Sequence, residues 1–418
     1  MRPLDSGAVP GPRGIGPHAS RAPGGAPRVG LVLPGGGARG AYQVGVLRAI
    51  ADLLPRDAPI PFRVISGTSA GAIIAASIAA YASRYRLGAT SLERFWRNFH
   101  VGQVFRADTA SMLRSGARWL SALLSGGRLA SPPASVFDVA PLRATLARHV
   151  DFAAIRAGLD AGNLDALALN ATAYRSALSV AFFECSRATA PWLHAWRLGQ
   201  PATLTHEHLM ASAAVPFLFP AVRMGEGEGA DWYGDGAMRQ LSPLSPAINL
   251  GADRLLIVGI RAAGARAVPE VAGGGGVAGP SLGQIFGFML DTLFMDGIQS
   301  DLDRLRRDNL LIDAAGHAAG GLRRVDALQI MPSADFGPIA ERHAHAVPRA
   351  LRTLLRTMGA ANPGGRTLLS YMLFEGAYTR ELIALGHADA MARRDELVEF
   401  LGLERPVATV DPRRVASA

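Results

Sequence analysis

Three short stretches of this 418-residue chain carry residue types that could do chemistry together. Gly67-Thr68-Ser69-Ala70-Gly71 fits the pattern G-x-S-x-G. A strand that turns sharply into a helix strains its central residue, and flanking glycines remove the Cβ clashes that would forbid the turn. Such a turn presents the Ser69 hydroxyl at the start of the next helix, where free N–H groups and the helix dipole favour negative charge. Gly35-Gly36-Gly37-Ala38-Arg39-Gly40 lies one helix and one strand earlier and fits G-x-G-x-x-G. It could cradle a dinucleotide pyrophosphate, or form an oxyanion hole in which the amides of Gly36, Gly37 and Ala38 face a developing negative charge. The dinucleotide use requires an acid at the end of the second strand. Here that strand ends in the serine turn, and Asp52 and Asp57 precede it. The third stretch is Asp235-Gly236-Ala237, which follows Asp231-Trp232-Tyr233-Gly234. A buried aspartate with a raised pKa can take a proton from serine directly. The other use of Asp235 is an Asx turn that caps the next element.

A histidine is the commoner base for serine. His18 is the sole histidine before Ser69 and lies in a Gly/Pro-rich tail. His100, His149, His194, His206, His208, His317, His343, His345 and His387 follow, none in a tight glycine turn after an apolar strand, and all are read as surface or packing residues. His206 and His208, two apart, would diverge on a helix, so no metal site is expected. The single cysteine, Cys185, permits no intrachain disulfide and sits in an apolar run as a small buried hydrophobe.

The elements that must hold these stretches alternate. Arg28–Pro34 is an apolar strand, residues 41–54 a helix, Phe62–Ile65 a strand and residues 70–85 a helix, the signature of a parallel α/β sheet. Further strands are expected at Leu164–Asn170, Ser179–Glu184, Arg254–Ile260 and 327–331, and helices at 284–308, 339–358 and 371–401. Val64–Ser83 lacks charge for long enough to span a bilayer, but the serine turn inside it favours a buried strand–helix pair.

In this order and spacing the three stretches resemble the patatin-like phospholipases. The segment Ala211-Ser212-Ala213-Ala214-Val215-Pro216-Phe217-Leu218-Phe219-Pro220, and the run from Asp235 to Asp253, are also similar to that family. The resemblance covers about residues 28–260. It implies a three-layer α/β/α fold with a mostly parallel central sheet. It also implies a dyad of Ser69 as nucleophile and Asp235 as base, with an oxyanion hole at Gly35, Gly36, Gly37, Ala38, Arg39 and Gly40. The elbow is Gly67, Thr68, Ala70 and Gly71, and Gly236 and Ala237 complete the D-G-A motif. The implied activity is lipid acyl-ester hydrolysis without metal or other cofactor. Arg39 either pairs with a lipid phosphate or makes a salt bridge at the helix start. The alternatives are a histidine-triad hydrolase, for which too few strands precede Ser69, and a non-catalytic lipid-binding or scaffold protein on the same fold.

The expected organisation is a disordered tail (1–27), the catalytic domain (28–260), a mostly helical extension packed on it (261–404) and a second tail (405–418). The 49% hydrophobic composition excludes a wholly disordered chain, and the single cysteine excludes a disulfide scaffold. No secretory h-region is seen, so a cytoplasmic location is expected, with peripheral contact at the inner membrane face. The net charge of +9 is carried entirely by arginine and concentrates in residues 84–128, with eight Arg against two acids. Within that stretch Arg106–Arg128, with Arg114 and Arg118, forms either a cap touching anionic lipid or a helix packed on the core. No nucleic-acid motif accompanies the charge. The Val271–Pro280 loop and the helix after it form a second candidate cover.

Overall fold

The computed structural model describes residues 27–106, 135–262, 279–315, 323–359 and 365–403. Both tails, most of the arginine-rich cap and the glycine-rich loop lie outside them. In chain order the strands are β1 (Val29–Leu33), β2 (Val64–Thr68), β3 (Ala166–Ala173), β4 (Ser179–Cys185), β5 (Trp192–His194), β6 (Arg197–Pro201), β7 (Val222–Met224), β8 (Asp231–Asp235), β9 (Arg254–Val258) and β10 (Asp326–Ile330). The helices of the first half are α1 (Gly40–Leu53), α2 (Ala70–Ala79), α3 (Tyr85–Arg97), α4 (Ala140–His149), α5 (Phe152–Asp160), α6 (His206–Ser212) and α7 (Ser245–Asn249). Those of the second half are α8 (Leu282–Asp291), α9 (Gly297–Ala315), α10 (Phe336–Arg342), α11 (Arg349–Thr357), α12 (Arg366–Met372), α13 (Gly376–Ala392) and α14 (Arg394–Leu401).

The sheet runs β10-β9-β1-β2-β3-β4-β6-β5. From β10 to β3 every pairing is parallel, and β4 reverses against β3. Strands β1, β2 and β3 are buried at every position, so helices must cover both faces, and the strands are correspondingly apolar throughout. The Val64–Ser83 run is therefore β2 and α2 in the core. Among the described residues no helix is long and apolar enough to cross a membrane.

Two departures from the expected elements bear on the site. The helix expected at 284–308 contains a π-helical turn, Thr292–Asp296, between α8 and α9. Such turns insert one residue into the ladder and re-aim side chains. The helix expected at 339–358 breaks before Pro348, whose ring and missing N–H start a new helix instead of continuing one.

The second half of the chain is woven into the first. Strand β10 extends the sheet beside β9 over five residues. Helix α13 lies against α1 with backbones in contact. A Cβ at Gly45 would sit 2.1 Å from the Ile383 carbonyl oxygen, and one at Gly386 2.1 Å from that of Tyr42.

Candidate active site

Ser69 occupies the turn between β2 and α2 with φ 54° and ψ −125°, a conformation that L residues avoid. The turn is closed by its glycines. A Cβ at Gly67 would lie 2.5 Å from the Gly71 carbonyl oxygen, and one at Gly71 2.1 Å from that of Leu33. The Ser69 N–H donates to Ser212 Oγ at 2.9 Å, and Ser212 in turn donates to the Asn170 carbonyl at 2.6 Å. Asn170 Nδ2 donates to the Gly67 carbonyl (2.9 Å) and to Thr68 Oγ1 (3.2 Å), so β3 and α6 brace the turn from below.

Sheet register brings Asp235 to Ser69. Along one edge of β3, Thr68 of β2 pairs with Asn170, and the next position, Ala171, pairs with Asp235 of β8. The strand carrying the aspartate thus takes the edge of β3 where β2 leaves it, and the residue after Thr68 is Ser69. Gly236 allows this approach, since a Cβ there would be 2.3 Å from the Asn170 carbonyl oxygen.

The two carboxylate oxygens of Asp235 are used differently. Oδ1 accepts the Ala237 N–H at 2.9 Å and caps a 3-10 turn, as an Asx turn would. Oδ2 is buried with no full hydrogen bond, although the Ser69 side chain is near enough to favour the charged carboxylate. Burial pushes the Asp235 carboxyl up to about 7, opposed by Ser69 and by the Ala237 N–H. A carboxylate titrating there is matched to proton transfer at neutral pH.

The glycine loop lies over this pair. A Cβ at Gly35 would meet the Ser69 Cβ at 2.8 Å and the Phe294 ring at 2.3 Å. Gly37 has φ +53° and opens a 3-10 turn, Gly37–Arg39, whose first N–H groups have no acceptor within the turn. Ile260 packs at Gly36, Phe294 at Gly35 and the Tyr371 carbonyl at Gly37, so no side chain fits at these three positions. From Ser69 a cavity of about 1060 Å³, its open mouth included, follows one face of α2 past Ile73, Ser77 and Tyr81. Its walls include Leu92, Trp96, Phe219 and Phe294, so it is an apolar channel that the Ser69 turn also lines.

Residues 31–248, just over half the chain, match the family Patatin-like phospholipase. The chain belongs to that family. A 54-residue stretch is also 50% identical to lysophospholipase NTE1 of Chaetomium globosum, covering 13% of this chain and 3% of that protein. Among solved structures, VipD from Legionella pneumophila aligns over 56% of this chain and 50% of that one, at 13% identity and a TM-score of 0.26. The alignments thus span a small part of the first relative and half of the second.

Other candidate residues fall elsewhere. Among the described histidines none hydrogen-bonds to Ser69 or Asp235. His100 meets Glu375, His343 meets Glu381 and His387 meets Asp52, while His149 lines the far part of the channel. His208 bonds to Thr205, and burial lowers its pKa to about 4. No group of three or more His, Cys, Asp or Glu able to hold a metal occurs among the described residues. Cys185 is half-buried at the end of β4, where burial raises its thiol pKa.

Arg39 is not presented to a lipid phosphate. It is 4% exposed and pairs with Asp291 at 2.8 Å, a partner far along the chain instead of one at its own helix start. The sequence gives no sign that Asn170 and Phe294 adjoin the site. Ser212 is marked only by the Ala211–Pro220 resemblance, and Phe294, within the π-helical turn, reaches the glycine loop at Gly35.

Proposed function

We propose that this protein is a serine lipid acyl hydrolase of the phospholipase A or lysophospholipase kind, working through a Ser69–Asp235 dyad. Ser69 Oγ attacks the acyl carbonyl carbon while Asp235 Oδ2 takes the hydroxyl proton. The oxygen of the tetrahedral intermediate is held by the amides of Gly36, Gly37 and Ala38, each such donor contributing about 3 kcal/mol. Collapse breaks the ester bond, and Asp235 returns its proton to the departing alcohol. A water then gives its proton to Asp235 and attacks the acyl-serine, releasing the fatty acid and restoring the serine. The observation that carries this reading is the buried, unengaged Asp235 Oδ2, raised to about 7, beside a serine held in a strained turn. Such strain at a buried polar site is retained where it serves function. The test is a panel of phospholipids, lysophospholipids and acylglycerols assayed with the wild type and with Ser69→Ala. Ser69-dependent release of fatty acid supports the reading, and Ser69-independent release or none from any ester refutes it.

The channel sets an expected chain length. Ser69 to Ser77 spans roughly 12 Å along α2, and Tyr81 lies about one turn further, at 1.5 Å per residue. At roughly 1.2 Å per bond this holds an acyl chain of about 10 to 15 carbons. Ile73, one turn from Ser69, stands where a chain of about 5 carbons would end. Ile73→Trp is therefore expected to keep hydrolysis of butyrate esters and to lower kcat/KM for laurate and palmitate esters about tenfold or more, because the indole would overpack the channel. Unchanged chain-length preference would place the acyl group elsewhere.

A further inference from the structure

The glycine loop is held mainly by residues beyond the family match. Arg39 Nη1 donates to Asp291 Oδ1 at 2.8 Å, and Nε donates to Ser370 Oγ at 2.8 Å. The Tyr371 hydroxyl donates to the same Asp291 oxygen at 2.7 Å, and the Tyr371 ring lies under the guanidinium, 3.8 Å from its carbon to the ring centre. Ser370 is itself fixed by donating to the Thr367 carbonyl at 2.6 Å. The Tyr371 carbonyl abuts Gly37, and Phe294 abuts Gly35. Three of the six loop residues thus touch the segment after residue 279, and the helix that follows the loop, α1, is pressed against α13 from that same segment.

A buried guanidinium with two charge-assisted bonds and a stacked ring is rigid, because its planar fork has few ways to satisfy all three at once. The amides of Gly37 and Ala38 lie within two residues of it. Their direction follows the direction of Arg39.

We propose that the segment after residue 279 is a working part of the ester-cleaving site: Asp291, Ser370 and Tyr371 clasp Arg39 and thereby set the oxyanion-holding amides of the glycine loop. This rests on the hydrolase reading above. Arg39, Asp291 and Ser370 are positioning residues outside the lining of the acyl channel, whereas Tyr371 also lines it. Small displacements of an oriented group cost catalysis far more than binding. Loosening the clasp at Asp291 therefore lowers kcat and leaves KM nearly unchanged, because Asp291 does not line the acyl channel.

The test uses the full chain with Asp291→Asn, Tyr371→Leu and Tyr371→Phe. Each kcat is normalised to the sites that a fluorophosphonate titrates to completion, so that misfolded molecules drop out. Asp291→Asn and Tyr371→Leu are expected to lower normalised kcat about tenfold to a hundredfold, with KM within about twofold for Asp291→Asn. Tyr371→Phe keeps the ring under Arg39 and is expected to restore most of the loss. Normalised kcat within about twofold of wild type in both variants, with Ser69→Ala inactive, overturns the clasp and leaves the hydrolase reading standing. A rise in KM with kcat unchanged in Asp291→Asn also overturns it. Undiminished hydrolysis by Ser69→Ala overturns both.

Discussion

Asp235→Asn is expected to lower ester hydrolysis by about 10²- to 10⁴-fold, the range for losing a positioned general base, while making the protein more stable at neutral and alkaline pH. The two effects share one cause. Asparagine can still accept the Ala237 N–H through its oxygen and keep the turn cap, but it cannot take a proton from Ser69. Stability follows from the pKa. The folded-state value is raised to about 7 from an ordinary 3.8, mainly by burial. A group raised in this way favours folding in its protonated form. Its contribution is present in full below the unfolded value, fades as pH rises toward 7, and leaves a buried charge above that. The variant has no charge to bury. Thermal unfolding of wild type and Asp235→Asn should therefore converge near pH 4 and separate progressively to pH 8, with the variant melting higher. The same pKa predicts that wild-type kcat/KM falls as pH drops below about 7, as the base becomes protonated. An Asp235→Asn enzyme that keeps its rate, or whose melting advantage is the same at pH 4 and pH 8, would contradict the assignment.

The second large effect is at Ser69. Ser69→Ala is expected to reduce hydrolysis by up to about 10⁶-fold, since in enzymes of this logic removing the nucleophile is as damaging as removing the whole catalytic set. Ser69→Gly is expected to be equally inactive yet more stable than Ser69→Ala. At φ 54° and ψ −125° any Cβ is strained, and glycine alone relieves it. Relief of about 1 kcal/mol or more, read as a higher melting temperature for Ser69→Gly, would show that the native turn holds its serine at a cost in stability. Equal melting of the two variants would remove strain from the account.

What could be read in the sequence follows the range of the interactions. The serine turn was legible because the pattern that marks it, Gly67 to Gly71, spans five residues, although the clash that requires Gly71 is with the distant Leu33 carbonyl. The strands of the parallel core were legible for the same reason, being apolar on both faces. Asp235 was legible as a glycine-flanked aspartate, but its strand was not. Asp231–Asp235 pairs with β3 over three residues, and no alternation in so short a segment marks it. Arg39 was undecidable from its neighbours, because its partners Asp291 and Ser370 lie 252 and 331 positions away. Phe294 was legible as an apolar position of the 284–308 helix, and it is buried with Leu290, Ile298 and Leu302, but its approach to Gly35 is a tertiary contact that no local pattern marks. The pattern is that chemistry was visible where glycine geometry enforced it, and invisible where tertiary contacts supplied it.

The central claim is that Ser69 is made nucleophilic by Asp235, and the rate of fluorophosphonate labelling as a function of pH tests it most directly, followed by mass spectrometry of the peptide containing Ser69. The expected result is a single adduct on Ser69, formed at a rate that rises with pH through a midpoint near 7 and collapses in Asp235→Asn. An adduct on another residue, or Ser69 labelling at the same rate in Asp235→Asn, would contradict it.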